Sequence, residues 1–600
     1  MNFAAIYHRP ESEMAFLGDP QTMHIRLRTA KGDIKTVQLL HGDPYSLRSL
    51  ASIKPPFYTT PTPMKKILSD DLYDYWQIAV TEPKKRLAYA FDITSVDGIR
   101  TVYTDHGYIQ PDDHEALEDL NTYFRMPFFQ EIDMFHSSEW VKNTVWYQIF
   151  PERFANGDRS NDPIGTKKWN ASDHPGRQDF YGGDLQGVLD HLNHLQKLGV
   201  NGIYFNPLFK APSNHKYDTE DYYQIDPHFG NAALFKEVVT QAHQRGIHVM
   251  LDAVFNHIGD KSLQWQDVLK NGQRSKYAGW FHVNKFPATY TPTKNFEFTP
   301  DATYDTFDYT PHMPKLNTAN PAVQEYLLEI AKYWIKEFDI DAWRLDVANE
   351  IDHHFWKRFH KETTALKPDF YILGEIWHTS QAWLNGDEFS GVMNYSYTGA
   401  ILDHFINHRI SAEQMIDHLS NQLMKYRDQT NQMMFNVLDS HDTARIMTQA
   451  RGNRNLVKET FAFTFLQPGT PSIYYGTEYG MDGDNDPDCR KPMNWVPDDD
   501  GQDMFTFFKK LVALRRNNAD LIEGGMVVLK VLPTGLVEIS RMGAGKVLTG
   551  IFNTTNLPIK CLSTGRLLLS QGVQDHQLMP NGFVITMKSV SYTHLTLPTN

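Results

Sequence analysis

Eight short, largely apolar segments recur along the middle of the chain, and stretches compatible with helices separate most of them. Segments of this length, rich in Val, Ile, Tyr and Phe, predict buried β-strands. A strand-helix alternation repeated eight times over about 350 residues predicts a (β/α)8 TIM barrel, the α/β fold in which helices surround a closed parallel sheet. The predicted strands are 145–151, 200–208, 247–257, 340–347, 370–377, 391–397, 434–442 and 470–478.

Two β-rich regions flank the predicted barrel, which we assign to residues 126–505. Residues 1–125 carry short alternating strands broken by Gly, Asp and Pro, a pattern that predicts an N-terminal β-sandwich module. Residues 506–589 predict a C-terminal antiparallel β domain that follows a helix over 505–518. The long aromatic-rich connection after the third strand, residues 258–316, predicts an inserted subdomain over the barrel mouth. Residues 590–600 do not continue the strand pattern, and we interpret them as a non-native tail.

The composition argues against several classes of partner. A formal net charge of −14 disfavours nucleic acid, whose binding needs clustered Lys and Arg, and it also disfavours anionic membranes. The sequence has no apolar run of about 18 residues, so we expect no membrane span. The first residues lack the pattern of a signal peptide, and Cys489 and Cys561 are the only cysteines in 600 residues. Together these features predict a cytoplasmic protein.

Acidic side chains close several predicted strands, on the rim where barrel enzymes carry their chemistry. For a single carboxylate, a helix N-cap or a loop salt bridge remains an open alternative. Several acids on one rim instead favour glycoside cleavage, which needs one carboxylate as nucleophile or base and a second as general acid. The rim residues are Asp252, Asn256 and His257 after strand three, Arg344, Asp346 and Glu350 after strand four, Glu375, Trp377 and His378 after strand five, and Asp439, His441 and Asp442 after strand seven.

Four of these segments match known motifs. DAVFNH (252–257), DAWRLDVANE (341–350), GEIWH (374–378) and NVLDSHDT (436–443) resemble, in order and spacing, the conserved regions of the α-amylase family, glycoside hydrolase family 13. MPKLN (313–317) together with VANE (347–350) is similar to the neopullulanase, cyclomaltodextrinase and maltogenic amylase subgroup, and the N-terminal module resembles that subgroup's starch-binding-type module. One departure is Ala342, where many relatives have Gly.

The resemblance implies a role for each matching residue. Asp346 would be the nucleophile, Glu375 the general acid/base and Asp442 the transition-state stabiliser of a retaining double displacement. Arg344 would orient Asp346, and Asp252 would support the site. The remaining residues would contact substrate: Tyr217, His257 and His441 at the sugar that is cleaved, and Glu350, Trp377, His378 and Phe307 at the subsites for the leaving portion.

A possible Ca²⁺ site lies in the first loop of the barrel. Oxygen-bearing side chains of the kind that Ca²⁺ prefers cluster there, although Asn, Asp and Gly are also ordinary turn residues. Asp184 could simply cap the helix that follows. The subgroup resemblance implies a structural calcium ion at a matching loop. The candidate ligands are Asn156, Asp158, Asn161, Asp162, Gly182 and Asp184.

The subgroup resemblance implies hydrolysis of α-1,4 and α-1,6 bonds in α-glucans, namely cyclodextrins, pullulan and maltooligosaccharides, with some transglycosylation. Two alternatives remain: an α-glucosidase or oligo-1,6-glucosidase, and an inactive amylase-like carbohydrate-binding protein. The N-terminal module and MPKLN argue against the first. The presence of Asp346, Glu375 and Asp442 argues against the second. The resemblance also implies a homodimer formed through the N-terminal module.

Overall fold

The computed structural model describes residues 1–45, 61–126, 128–136, 138–293, 298–561 and 564–590. The predicted tail, residues 590–600, therefore lies outside the described residues apart from Val590. Two compact units divide the chain. The first consists of Met1–Ser137 together with Ile410–Asn431, and the second consists of Ser138–Arg409 with Gln432–Asn600.

The N-terminal part of the first unit is a β-sandwich, as the sequence predicts. Side chains from both of its antiparallel sheets, such as Ile25 and Trp76 from one and Leu39 and Phe91 from the other, share one buried core. The first sheet has the order Ala15–Asp19, Thr22–Ala30, Tyr73–Thr81, Lys65–Ser69. The second has the order Thr62–Pro63, Ile34–Gly42, Leu87–Ser95, Arg100–Thr104, Gly107–Ile109, with Phe124–Met126 added against Leu87–Ser95.

One predicted strand of the sandwich is in fact a hairpin. The run TVYTDHGYI (101–109) is one of the short alternating runs from which the sequence predicts this module, but it forms two antiparallel strands, Arg100–Thr104 and Gly107–Ile109. The dipeptide Asp105-His106 makes the turn, and Gly107 follows it with φ 110°. Turn residues inside an alternating run are thus the signal for a tight reversal.

A helical segment far along the sequence belongs to this first unit. Helix Ala412–Met424 and the residues after it lie within the range that the sequence assigns to the barrel. Arg26, fully buried in the sandwich, donates to the carbonyl of Tyr426 at 2.8 Å and pairs with the carboxylate of Asp428. This buried arginine ties the segment to the first unit.

The second unit contains the predicted barrel. Eight parallel strands form one sheet, and a parallel bridge from Met393 to Phe435 joins its sixth and seventh strands. The strands in chain order are Trp146–Ile149, Gly202–Phe205, His248–Ala253, Ala342–Leu345, Tyr371–Gly374, Gly391–Val392, Phe435–Asn436 and Thr470–Tyr474. The larger helices of this unit outside the inserted subdomain are Leu185–Leu198, Ala232–Gln244, Pro321–Phe338, His353–Leu366, Tyr395–Phe405, Arg454–Thr464 and Asp499–Asn517.

Local sequence explains where these helices begin and end. The Asp184 side chain caps the first helix by accepting from the Gly187 amide, and Gly199 ends it at φ 94°, a conformation that glycine adopts without strain. Its apolar positions, spaced three or four apart, are all buried. The last helix begins at Asp499 rather than at 505 as predicted, because Asp498 caps it through the Gly501 amide.

Two further regions complete the second unit. The insertion after strand three contains helix Leu263–Asn271, and Trp265 packs between Phe281 and Tyr304 at ring distances of 4.8 and 4.6 Å. The C-terminal antiparallel sheet has the order Met526–Val531, Val537–Gly543, Lys546–Phe552, Gln577–Ser589, Ile559–Lys560, with Arg566–Gln574 paired to Gln577–Ser589. Within the described residues, no helix combines the length and apolar content needed to cross a bilayer.

Candidate active site

A fully buried arginine organises the carboxyl-terminal rim of the barrel. Arg344 Nη1 binds Asp346 Oδ1 at 2.7 Å and Asp252 Oδ1 at 2.9 Å, while Nη2 binds Glu375 Oε2 at 2.8 Å. Parallel strand ends meet at one edge of a sheet, so strands three, four and five bring these acids together. Asp346 and Glu375 occupy neighbouring nitrogens of one guanidinium, which favours the short separation of a retaining pair.

Three carboxylates around a single arginine leave an excess of negative charge. Burial raises the pKa of Asp346 well above its ordinary value; Arg344 opposes this change, and Glu375 and Asp252 reinforce it. Burial likewise raises the pKa of Asp252 to about 6, against the attraction of Arg344. Asp346 and Asp252 therefore hold a proton more readily than isolated carboxylates do.

Two hydrogen bonds fix the Glu375 carboxylate. The main-chain amide of Val347 donates to Oε2 at 3.0 Å, and the indole Nε1 of Trp377 donates to Oε1 at 3.0 Å. Val347 adopts a left-handed conformation, with φ 47° and ψ 43°, which is uncommon for a β-branched residue. The predicted residues Glu375 and Trp377 are thus in direct contact.

Asp442 lies in a different environment at the end of strand seven. His441 Nε2 lies 3.2 Å from Asp442 Oδ2, and Arg490 Nη2 lies 3.6 Å from Asp442 Oδ1. Burial raises the pKa of Asp442, and the charges of Arg490 and Arg344 oppose the shift. Arg490 was not predicted; it also donates from Nε to the His441 carbonyl at 2.9 Å.

Tyr217 and His441 form one hydrogen-bonded network. Their rings are stacked with an interplanar angle of 3°, and the Tyr217 hydroxyl donates to Asp252 at 2.9 Å and lies 2.5 Å from His441 Nε2. Gln148 Nε2 donates to His441 Nδ1 at 2.8 Å, and Asn206 Nδ2 donates to the Tyr217 hydroxyl at 3.0 Å. Burial lowers the pKa of His441 well below its ordinary value, so the ring is neutral.

His257 and Phe307 form a second aromatic pair of predicted site residues. Their rings stack at 5.2 Å with an interplanar angle of 25°. His257 is buried, and burial lowers its pKa to about 3, although the Tyr217 main chain partly opposes this. Phe307 is partly exposed and offers ring surface to a ligand.

The residues predicted for the subsites that bind the leaving portion of the substrate differ in their exposure and in their contacts. Trp377 is about half exposed, at 49%, and stacks on Tyr395 at 3.7 Å with an interplanar angle of 3°. Glu350 is exposed and pairs with Lys315. His378 instead contacts the Thr379 carbonyl at 3.0 Å and the Trp383 ring at 5.7 Å. His378 is therefore oriented by its own loop.

Sequence reasoning missed Tyr395, Gln148, Asn206 and Arg490. Tyr395 is buried, and burial together with the nearby charges of Asp442 and Glu375 raises the pKa of its hydroxyl well above the usual value. Tyr395, Gln148 and Asn206 lie at or just beyond the ends of strands six, one and two, so their position on the rim was the available signal. Arg490 lies in a short 3-10 helix, Asp488–Arg490, after strand eight and had no such signal.

The loop with the predicted calcium ligands divides into two parts. Asp184 is fully buried, and its two oxygens accept from four donors: the amides of Gly157 at 3.0 Å, Gly187 at 2.7 Å and Asp158 at 2.8 Å, and Asn161 Nδ2 at 3.0 Å. The Asp158 carboxylate accepts from the amide and hydroxyl of Ser160 at 2.9 and 2.6 Å. Asp184 therefore has the capping role that the sequence left open.

The other part of the loop has oxygens available to a cation. Asn156 Oδ1 and Asn161 Oδ1 are buried, and no described residue donates a hydrogen bond to either. Asp162 Oδ1 lies against Gly182, where an added Cβ would approach it to 2.1 Å. The described residues contain no cluster of three or more His, Cys, Asp or Glu suited to a metal. Amide and carboxylate oxygens of this kind fit Ca²⁺.

Comparison with known proteins identifies the family of this site. The alpha amylase catalytic domain matches residues 148–524, and the alpha amylase N-terminal ig-like domain matches residues 1–130. The chain belongs to the α-amylase family. It is a glycoside hydrolase of that family, as the sequence motifs predict.

Individual relatives lie in the predicted subgroup. An intracellular maltogenic amylase of Bacillus subtilis is 48% identical over 559 residues, which cover 93% of this chain and 92% of that protein. Neopullulanase 2 of Thermoactinomyces vulgaris is 40% identical, covering 88% of this chain and 86% of that protein. A solved cyclomaltodextrinase structure superposes with a TM-score of 0.85 at 40% identity and covers 98% of both chains.

Proposed function

We propose that this protein hydrolyses α-1,4 and α-1,6 bonds of cyclodextrins, pullulan and maltooligosaccharides with retention of configuration, and that it transfers some glycosyl groups to other sugars. The observation that supports this most strongly is the double ion pair of Arg344 with Asp346 and Glu375. The relatives named maltogenic amylase, cyclomaltodextrinase and neopullulanase support the choice of substrates.

Asp346 attacks the anomeric carbon while Glu375 protonates the glycosidic oxygen, and water or a second sugar then releases the glycosyl group with Glu375 as base. Arg344 holds both carboxylates in place through separate nitrogens. The acid step requires Glu375 to donate a proton to the glycosidic oxygen, and the Val347 amide and the Trp377 indole hold its carboxyl group in position. Asp442 stabilises the positive charge that develops on the sugar.

The aromatic and histidine side chains would bind sugar rings. Tyr217 offers a ring for stacking, and the neutral histidines 257 and 441 supply hydrogen bonds to sugar hydroxyls. Phe307, Trp377 and Glu350 are all exposed in part and would contact the leaving portion. His378, which contacts Thr379 and Trp383, would contribute less.

Incubation with β-cyclodextrin, pullulan and starch, followed by product chromatography, tests this function. We expect β-cyclodextrin to be opened and cleaved to maltose, pullulan to be cleaved to its trisaccharide, and proton NMR to show α-anomers first. Glucose released from chain ends with β-cyclodextrin left intact would indicate an α-glucosidase. Binding without turnover would indicate a carbohydrate-binding protein.

We also propose that a structural Ca²⁺ binds in the first barrel loop. Asn156 and Asn161 oxygens, Asp162 and the Gly182 carbonyl would hold it, and the unpartnered amide oxygens support this assignment. The ion would brace the loop without taking part in the reaction. Chelation should lower the melting temperature, Ca²⁺ should restore it, and the rate at low temperature should stay unchanged. Asn161→Ala should abolish the response to Ca²⁺, whereas no response in the wild type would contradict the proposal.

A homodimer through the N-terminal module is a further part of the proposal. Phe3, Val96, Ile99 and Tyr108 are all exposed on this module, and Phe3 and Tyr108 pack edge to face at 4.7 Å. Exposed apolar patches of this kind often mark interfaces. Sizing chromatography should give a dimer, and Ile99→Glu should weaken it. A wild type that elutes only as a monomer at working concentration would contradict this.

We propose an intracellular location. The support is the paucity of cysteines and a relative named as an intracellular enzyme. Cell fractionation with activity measured in each fraction tests it, and activity in the culture medium would contradict it.

A further inference from the structure

Lys315 joins two parts of the substrate site that the sequence treats separately. It lies in MPKLN, where the subdomain returns to the barrel, and its backbone pairs antiparallel with His257. The Lys315 ammonium donates to Asn256 Oδ1 at the end of strand three, and it also donates to the Glu350 carbonyl at 3.1 Å and lies 3.5 Å from Glu350 Oε2. Strand three and the segment after strand four are thus connected by one side chain.

The contact with Asn256 determines which way the amide faces. A lysine ammonium carries three donors and no acceptor, so the amide oxygen of Asn256 must point towards it. The Asn256 NH2 group then points the other way, and its nitrogen lies 3.2 Å from His257 Nδ1. An amide NH2 group can only donate, so His257 Nδ1 must accept.

The tautomer of His257 follows from this geometry. A neutral imidazole whose Nδ1 accepts carries its proton on Nε2. His257 Nε2 is buried, and no residue in the described part of the chain completes a hydrogen bond with it. The Tyr217 main chain lies near the ring but completes no hydrogen bond with Nε2. This N–H donor is therefore available to a ligand, and a sugar hydroxyl has a suitable acceptor oxygen.

We propose that Lys315 is a positioning residue for both sides of the cleaved bond: through Asn256 it fixes His257 as an Nε2–H donor to a glucosyl hydroxyl, and directly it holds Glu350 for the acceptor sugar. This inference rests on the proposed function, because it assigns a role within the same α-glucan site. Burial lowers the pKa of Lys315, and the Glu350 carboxylate opposes this and helps to retain the charge that both contacts need.

The test compares Lys315→Met with Lys315→Arg and with a control. Lys332 is a suitable control because it also forms glutamate ion pairs, with Glu329 and Glu362, and has a similar side-chain exposure, 17% against 19% for Lys315. Lys315→Met should lower kcat/KM for maltotriose roughly tenfold, the size expected when a buried donor loses its fixed orientation. Lys315→Arg should recover part of this loss, and Lys332→Met should behave as the wild type.

A double-mutant cycle separates positioning from general stability. In a background that carries both His257→Ala and Glu350→Ala, Lys315→Met should lower kcat/KM by less than about twofold more, because both of its targets are gone. The ratio of transfer to hydrolysis with added glucose should change in the same direction in Lys315→Met and Glu350→Ala, and the double variant should show no further change.

Each outcome supports or overturns the inference. Additive losses in the background that carries both His257→Ala and Glu350→Ala, or a loss confined to the melting temperature, would overturn it. If Lys315→Met is too unstable to assay, Lys315→Gln, which keeps a donor, and Lys315→Arg give the same comparison. A wild type that fails to hydrolyse maltotriose and β-cyclodextrin would contradict the proposed function, whereas an active wild type with an unaffected Lys315→Met would contradict this inference alone.

Discussion

The two ends of barrel strand Ala342–Leu345 carry buried aspartates with opposite properties. Asp341 precedes the strand and Asp346 follows it, and the exposed fractions are similar, 5% and 7%. Burial tends to raise the pKa of both. At Asp341, contacts with His243, His248 and Lys367 reverse this and hold the pKa well below its ordinary value. At Asp346 the pKa remains raised.

The difference lies in the balance of acids and bases. The Asp341 carboxylate accepts hydrogen bonds from His243 Nε2, Lys367 Nζ and the Val249 amide, all at 2.8 Å. Asp346 must share Arg344 with two other carboxylates. A surplus of donors stabilises an anion, whereas a shortage makes it costly. The N-terminal end of the strand, at Asp341, is the lower end, and its contacts stabilise the fold. The C-terminal end, at Asp346, is the upper end, where stability is given up for reactive acids.

The largest effect should come from Asp346→Asn. Removing the nucleophile should lower kcat by at least about 10⁴-fold, as losing a covalent nucleophile does in other hydrolases. The melting temperature should stay level or rise, because one acid leaves a site that has too many. Kinetics on β-cyclodextrin and thermal unfolding measure both. A variant with near-normal turnover would contradict the assignment of Asp346.

Asp341→Asn should reverse this pattern. The substitution leaves three donors around an amide in a buried site, and breaking such a pair costs about 3 kcal/mol of unfolding free energy. The kcat of the folded variant at 25 °C should remain within about twofold of the wild type, because Asp341 lies at the end of the strand opposite the catalytic acids. Denaturant unfolding measures the stability, and steady-state kinetics measure kcat. A fall in kcat well beyond twofold in the folded variant would contradict the comparison.

The pH dependence of stability should also differ between the two ends. The folded-state pKa of Asp341 is depressed, so its stabilising effect is full above its unfolded pKa, about 3.9, and is lost only as the pH falls further. The folded-state pKa of Asp346 is raised, so its cost grows as the pH rises above that same unfolded value.

Melting temperatures from about pH 5 to pH 7 test this contrast. The difference between Asp341→Asn and the wild type should stay constant across that range. The difference between Asp346→Asn and the wild type should become more positive as the pH rises. Parallel curves for the two variants would show that the two aspartates do not differ in the way proposed.

The sequence was most informative where the signal was local. Strand-end acids such as Asp346 and Glu375 could be found because each closes an apolar run on a rim known to carry chemistry. Phe307 could be named only through the family resemblance, and its stacking on His257, fifty residues away along the chain, appears only in the folded structure. The hairpin at 100–109 was missed because its turn residues were read as part of a strand.

The remaining features depend on contacts between distant segments. His243 and Lys367 reach Asp341 from the ends of two different helices, and no periodicity places them together. Lys315 could be recognised as part of a motif, but its hydrogen bond to Asn256 joins segments on either side of the inserted subdomain and is visible only in the folded structure. Arg26 and Asp428 are separated by most of the chain. Long-range pairs of this kind require the folded structure.

The smallest effect should come from the left-handed residues at the two ends. Val347, at φ 47°, lies at the upper end and donates to Glu375, while Asp339, at φ 57°, ends helix Pro321–Phe338 at the lower end. Val347→Gly relieves backbone strain but adds chain entropy, so stability should change by less than about 1 kcal/mol. The kcat should fall about threefold to tenfold, because a freer amide orients Glu375 less well.

Asp339→Gly is the matched control for this last change. It has the same backbone conformation and surface ion pairs of small energetic value, so it should leave kcat unchanged and stability within about 1 kcal/mol of the wild type. Equal kinetic effects from the two glycines would mean that backbone freedom at either end reaches the catalytic acids. An effect limited to Val347→Gly would show that strain is retained where it fixes a carboxylate, and that at Asp339 the same conformation only ends a helix.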